Sequence, residues 1–174
     1  MDSYKGQIDS IGVSGRIWAG YEAREIRRLI FESLKSAKVS IQISAFSLGE
    51  KNEDVEQFFQ ILEEKLKAEK GVQLIVNDIQ GKSVGEYSRK FIRKLRKYPT
   101  CTVSDYKPAK EGDLLHAKII VIDRKFALVG SANISRHAMF SNYEIMLKIS
   151  GKAVAIIANL LDNLAQAIIK GEEI

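Results

Sequence analysis

The stretch His116-Ala-Lys118-Ile-Ile-Val-Ile-Asp123-Arg-Lys-Phe126-Ala-Leu-Val-Gly130-Ser131-Ala-Asn133 decides how the rest of the sequence is read. Two apolar runs, Leu114 to Ile122 and Phe126 to Val129, flank the polar break Asp123-Arg124-Lys125, the pattern of two strands joined by a short turn. Residues two apart on a strand face the same way. His116 and Lys118 therefore project from one surface, and Ala117, Ile119 and Val121 from the other. A reversal near Arg124 returns position 131 to face position 117, with the register open by a residue or two. Ser131 and Asn133 then come back beside His116 and Lys118. A potential nucleophile, a cation, a hydroxyl and an amide at one place are parts suited to gripping and attacking a phosphate. A His and a Lys alone on the wet face of a strand are commonplace. Six specified positions, with Asp123, Gly130, Ser131 and Asn133 added, coincide by chance on the order of once in 10⁵ to 10⁶ chains.

Upstream, Ile26, Leu29, Ile30 and Leu34 recur at helical spacing and predict a helix from about Tyr21 to Lys35. Residues 39–45 alternate as a strand. Val55, Phe58, Phe59, Leu62 and Leu66 mark a helix capped at Asn52, and Val72 to Val76 is a short buried strand. A helix through the basic stretch 82–98 follows, then a strand from Thr102 to Tyr106. Downstream, alternation from Tyr143 to Ile149 gives one more strand, and a helix from about Lys152 to Lys170 closes the chain. Helices interleaved with strands favour an α/β sheet covered by helices, in a single domain spanning 1–174 with 1–19 as an added strand or arm.

Composition narrows the chemistry. The chain has 174 residues, 45% of them hydrophobic and 28% charged, which is globular usage. One cysteine, Cys101, excludes an internal disulfide framework. With only two histidines, His116 and His137, there is no Cys/His cluster for a transition metal, although a carboxylate site for a hard ion stays open. The N-terminal stretch lacks the apolar core of a signal peptide, and the most apolar run, Ala153 to Ile169, carries Asn159, Asp162, Asn163 and Gln166. The expectation is a cytoplasmic protein without a membrane partner. The net charge of +5 is concentrated: residues 82–97 alone carry net +6, so the remainder is nearly neutral. A local basic patch points to an anionic partner.

The central stretch resembles the HxKxxxxDxxxxxxGSxN signature of the phospholipase D superfamily, with every specified position filled. Ala37-Lys-Val-Ser-Ile-Gln-Ile-Ser-Ala-Phe-Ser is similar to that family's first core strand. Asn142-Tyr-Glu144 is similar to the segment bearing the glutamate that orients its histidine. The resemblance covers most of the chain from about Gly20. It implies an α/β fold with a mixed β-sheet flanked by helices, one motif per chain, and phosphodiester cleavage without a cofactor or metal. In this reading neutral His116 attacks phosphorus and forms a covalent phosphohistidine. Lys118, Ser131 and Asn133 hold the non-bridging oxygens, and Glu144 accepts a hydrogen bond from the other ring nitrogen of His116. Asp123 belongs to the signature, yet its turn position equally suits an Asx residue that stabilises the turn.

A second histidine is required as general acid and then base. His137 has no matching context and reads as an ordinary loop residue. A twofold homodimer pairing two copies of His116 is the economical source, and the apolar faces of the C-terminal helix suit such association. Single-motif members of the superfamily include small metal-independent nucleases, which favours DNA over lipid. On a helical wheel the basic stretch places Tyr87, Phe91, Ile92, Leu95 and Tyr98 on one face and Arg89, Lys90, Arg93, Lys94, Arg96 and Lys97 on the other. That stripe could track a phosphate backbone, and full neutralisation would give a log–log salt slope of about −5. Two alternatives stand beside the endonuclease: a phospholipase D or phosphatidyl transferase, and a non-catalytic nucleic-acid-binding subunit.

Overall fold

The computed structural model describes residues 5–18, 23–110 and 112–171. Its strands are β1 (Gly6–Val13), β2 (Arg24–Glu25), β3 (Ser40–Ala45), β4 (Gly71–Asn77), β5 (Cys101–Tyr106), β6 (Lys118–Ile122), β7 (Phe126–Gly130) and β8 (Ile145–Gly151). Its helices are α1 (Ile26–Ser36), α2 (Glu53–Lys67), α3 (Glu86–Leu95), α4 (Arg136–Phe140) and α5 (Lys152–Lys170). The strands form one mixed sheet in the order β2-β1-β8-β7-β6-β3-β4-β5. Strands β3, β4 and β5 run parallel, whereas β6, β7 and β8 are antiparallel neighbours joined to the parallel part through β3.

Strict alternation on β6 lets both faces of this sheet be covered. Ile120 and Ile122 enter the main core with Ile26, Leu29, Ile30, Phe58 and Phe59 of α1 and α2. Val121 points the other way and packs with Val154, Ala158, Leu161 and Ala165 of α5. The apolar face of α5, expected to serve association, is therefore covered by the protein's own sheet, although Leu160 and Ile169 remain exposed. A tie fixes α5 in place: Asp162 accepts from Gln42 Nε2 at 2.6 Å and from the Arg124 guanidinium at 2.6 Å. By length and apolarity α5 could cross a membrane, but its packed face and this tie hold it on the sheet.

Asn52 caps α2 as expected, its side chain accepting from the backbone N–H of Asp54 and Val55. Four boundaries differ from expectation, the first being helix α3, which spans only Glu86–Leu95 of the stretch 82–98 and ends at the Arg96 cap. Helix α1 begins at Ile26, because Arg24 and Glu25 pair with the end of β1; positions 21 and 22 lie outside the described residues. Strand β6 begins at Lys118, not at Leu114, since residues 113–117 have no ladder partner. Strand β8 begins at Ile145, after Tyr143 and Glu144.

The hairpin register is the expected one: Lys118 pairs with Gly130 and Ile122 with Phe126, leaving Asp123-Arg124-Lys125 as the turn. Asp123 and Arg124 adopt φ of 52° and 54°, a left-handed conformation that Asp tolerates through local hydrogen bonds. The Asp123 carboxylate accepts from the backbone N–H of Lys38 at 2.9 Å, Val39 at 2.7 Å and Ser40 at 2.9 Å, stapling the turn to the entry of β3. Burial alone would push this carboxyl up, but those N–H donors outweigh it and hold it below its ordinary range. Replacing Asp123 with Ala should destabilise the fold by about 1–3 kcal/mol at pH 7 in urea denaturation. A group with a lowered folded pKa contributes stability above the ordinary carboxylate range and loses it as pH falls. The gap between wild type and variant should therefore close under acid conditions; a gap independent of pH would contradict this role.

Candidate active site

The backbone around His116 is clamped at three points despite lying outside the sheet. Leu115 N–H donates to Asn77 Oδ1 at 2.9 Å, Ser44 Oγ donates to the Ala117 carbonyl at 3.2 Å, and Lys118 Nζ donates to the His116 carbonyl at 2.7 Å. The imidazole itself is exposed and rests against the ring of Phe46, with centroids 4.6 Å apart. Phe46 follows directly on β3, so the ends of β3 and β4 together position the segment leading into β6.

Lys118 opens β6 and is only 8% exposed. Its Nζ lies 4.8 Å from the Phe46 centroid, a cation–π distance. Burial pushes its pKa below the ordinary lysine value, and the nearby Glu144 charge offsets part of that. Across the hairpin, Ser131 leaves β7 opposite Ala117, as the register requires. Gly130 permits the close approach of β8 there: a Cβ at this position would lie 2.0 Å from the Ile145 carbonyl oxygen. Asn133 lines the same small pocket as Lys118 and Ser47, and its Oδ1 is buried without a hydrogen-bond partner. An orphaned acceptor in a largely apolar pocket calls for an explanation.

Glu144 reaches the site but not in the expected way. Ser131 Oγ donates to one carboxylate oxygen in a short hydrogen bond, and Asn142 Nδ2 donates to the other at 3.2 Å. Ser131 N–H donates to the Ile145 carbonyl at 3.0 Å, and Ile145 N–H donates back to Ser131 Oγ at 3.1 Å. This pairing lands the Glu144 side chain on the serine hydroxyl, and among the described residues no hydrogen bond joins it to His116. Asp123 stands apart from these groups. It sits past the far end of β6, five residues and about 17 Å of strand from Lys118. Its oxygens are taken by the β3 entry, so its role is to hold the hairpin.

His137 lies on the short α4, in a depression lined by Lys51, Asn52, Glu53, Asp54, Arg136 and Phe140. The His116 group therefore contains one histidine. No set of three His, Cys, Asp or Glu suited to a metal occurs among the described residues. Of the basic stretch, Lys90 pairs with Glu86 and Lys94 with Glu63, while Arg89 turns back onto the Gly81 carbonyl. Arg93, Arg96 and Lys97 are exposed and carry no such pairing among the described residues. The helix docks on α2 through its apolar face.

Phe46, Ser44 and Asn77 are absent from the sequence reading of the site. Asn77 had a signal, a polar residue buried directly after the apolar run Leu74 to Val76, where an unpaired polar group is costly; Ser44 had none, since it follows the polar alternation of Ser40 and Gln42 on its strand. Phe46 had none, because a phenylalanine after a strand reads as core.

A family model described as cardiolipin synthase, PLD-like domain, matches residues 30–168. NucT from Helicobacter pylori superposes with a TM-score of 0.71 at 24% identity, over 95% of this chain and 97% of that one. Nuc from Salmonella typhimurium, a phospholipase D family member, gives 0.66 at 18% identity over 95% of each chain. Phosphatidylserine synthase from Haemophilus influenzae gives 0.64 at 14%, over 92% of this chain but 38% of that one. At these identities the likeness is one of fold. The DISARM protein DrmC of Bacillus paralicheniformis is 38% identical over 56 residues, so this chain matches only 23% of that relative's length.

The burial of Lys118 generates a prediction about stability. A lysine whose folded pKa is lowered works against folding at neutral pH, because the charged form is the one burial disfavours. Lys118→Met should unfold at a urea concentration equal to or above that of wild type at pH 7. A clearly lower midpoint would show that the ammonium's contacts outweigh its desolvation.

Proposed function

The chain belongs to the PLD-like domain family of the phospholipase D superfamily, and from that membership we propose that it is a metal-independent phosphodiesterase, an endonuclease that hydrolyses DNA in the cytoplasm. The observation that supports this reading is the hairpin register, which sets Gly130 opposite Lys118, with Lys118 and Asn133 lining one small pocket and His116 two residues before Lys118. An imidazole nitrogen of His116 attacks phosphorus; the N–P bond forms as the P–O bond to the leaving alkoxide breaks. A protonated histidine gives its proton to that oxygen, then takes one from the water that cleaves the N–P bond. Lys118 supplies positive charge beside the developing oxyanion, the Asn133 amide N–H donates to it, and the Ser131 hydroxyl donates to it on turning from Glu144. Glu144 holds the Ser131 hydroxyl and balances the Lys118 charge.

The second histidine comes from a second copy of this chain, so the working unit is a homodimer with two His116 side chains at one site. DNA is favoured by the exposed cations on and just after α3 that carry no ion pair among the described residues, Arg93, Arg96 and Lys97, with Arg89 and Lys90 on the same helix and Lys82 shortly before it.

Supercoiled plasmid and single-stranded DNA incubated in EDTA test this directly. Wild type should cleave, and His116→Ala should lose at least about 10³-fold in rate, since removing the nucleophile removes the covalent route. Two coupled histidines should give a bell-shaped pH–rate profile, and dilution below the dimer dissociation constant should lower specific activity. Intact DNA with both proteins would sink the nuclease reading. Hydrolysis of phosphatidylglycerol vesicles in the same experiment would transfer the proposal to lipid.

A further inference from the structure

We propose that Phe46 is a positioning residue that sets the His116 imidazole and the Lys118 ammonium relative to each other for attack on phosphorus. The proposal rests on the phosphodiesterase reading above and adds a residue outside the sequence signature. The three clamps on the 115–117 backbone leave the imidazole free to turn, and it makes no hydrogen bond among the described residues. Among the described residues its one ring contact is with Phe46, centroids 4.6 Å apart and planes inclined at 59°. The same phenyl ring lies 4.8 Å from Lys118 Nζ. One half-buried side chain on the end of a central strand thus touches both groups that must meet the phosphate.

An aromatic ring suits this position for two reasons. It is rigid and anchored to β3, so it narrows the orientations of an otherwise unrestrained imidazole. Its face is also electron-rich, which favours a neighbouring cation. As the His116 nitrogen bonds to phosphorus and the P–O bond breaks, the imidazole becomes a cationic phosphoimidazolium. The leaving oxygen takes its proton from the second histidine. A ring flanked by this cation and by Lys118 serves the state after attack better than an aliphatic side chain could.

The test compares wild type, Phe46→Leu and Phe46→Tyr as full chains, using bis(p-nitrophenyl) phosphate in EDTA and NMR of the His116 imidazole. Phe46→Leu should lower kcat about 10- to 100-fold with KM within about threefold, the effect of a misplaced reacting group. Phe46→Tyr should stay within about threefold of wild type. The His116 ring resonances should move in Phe46→Leu as the ring current is lost, while resonances far from the site stay put. A Phe46→Leu enzyme as active as wild type overturns the proposal, as does a folded Phe46→Tyr variant as slow as Phe46→Leu. If wild type leaves the diester intact, the catalytic reading fails instead. An unmoved His116 resonance in Phe46→Leu then overturns the contact on its own.

Discussion

The absence of a side chain at Gly130 lets the central hairpin and β8 close on each other. With the Ile145 carbonyl oxygen 2.0 Å from where a Cβ would stand, any larger residue must push β7 from β8 or slip the register. A slip of one residue on a sheet covered on both faces is ruinous, because it turns every side chain over. Ile120 and Ile122 would leave the α1–α2 core for the α5 side, and Val121 would do the reverse. The same slip would separate Ser131 from Ala117 and break the paired hydrogen bonds between Ser131 and Ile145. Fold and candidate site thus share one constraint: the register that fills both cores also sets Gly130 and the Ser131 turn opposite Lys118 and the His116 segment.

The other end of the hairpin is held by charge. Asp123 accepts backbone hydrogen bonds from three successive residues at the start of β3, and Ser40 returns a carbonyl to the Asp123 N–H at 2.8 Å. Among the described residues no hydrogen bond joins that end to His116 or Lys118, yet β3 carries Ser44 at its other end, with Phe46 directly after it. An acid in a catalytic signature can therefore be essential to a site it never enters, by fixing the strand that builds it.

This explains how much was legible in the sequence. The hairpin could be read because apolar alternation and a polar three-residue turn are local signals, and the register follows once the turn is located. The cap at Asn52 and the span of α5 were legible for the same reason. The cover for α5 was not: an apolar helical face states that it must be buried, without saying against what, and the protein's own sheet supplies the cover. Glu144, expected to bond His116, bonds Ser131 and Asn142 instead. Which of two nearby groups a carboxylate bonds depends on sub-ångström pairing of Ser131 with Ile145, and no periodicity encodes that. The cationic stripe on residues 82–98 shows the same limit, since the wheel cannot reveal that Glu86 and Glu63 take two of its charges.

The location of the site follows from the sheet's topology. Strands β3, β4 and β5 run one way, and β6 returns against β3, so the C-terminal ends of β3 and β4 meet the N-terminal approach to β6. Open sheets with this kind of change in strand order leave a crevice beyond the carboxyl ends of the strands, where ligands bind. Here that crevice receives Phe46 from β3, Asn77 from β4 and His116 on the way into β6. A segment entering the sheet must satisfy its backbone before the ladder begins, and Asn77, Ser44 and Lys118 do so for residues 115–117. A lysine that holds the His116 carbonyl must sit close to it and largely out of water. The burial that weakens its charge is thus a consequence of where the His116 segment enters the sheet.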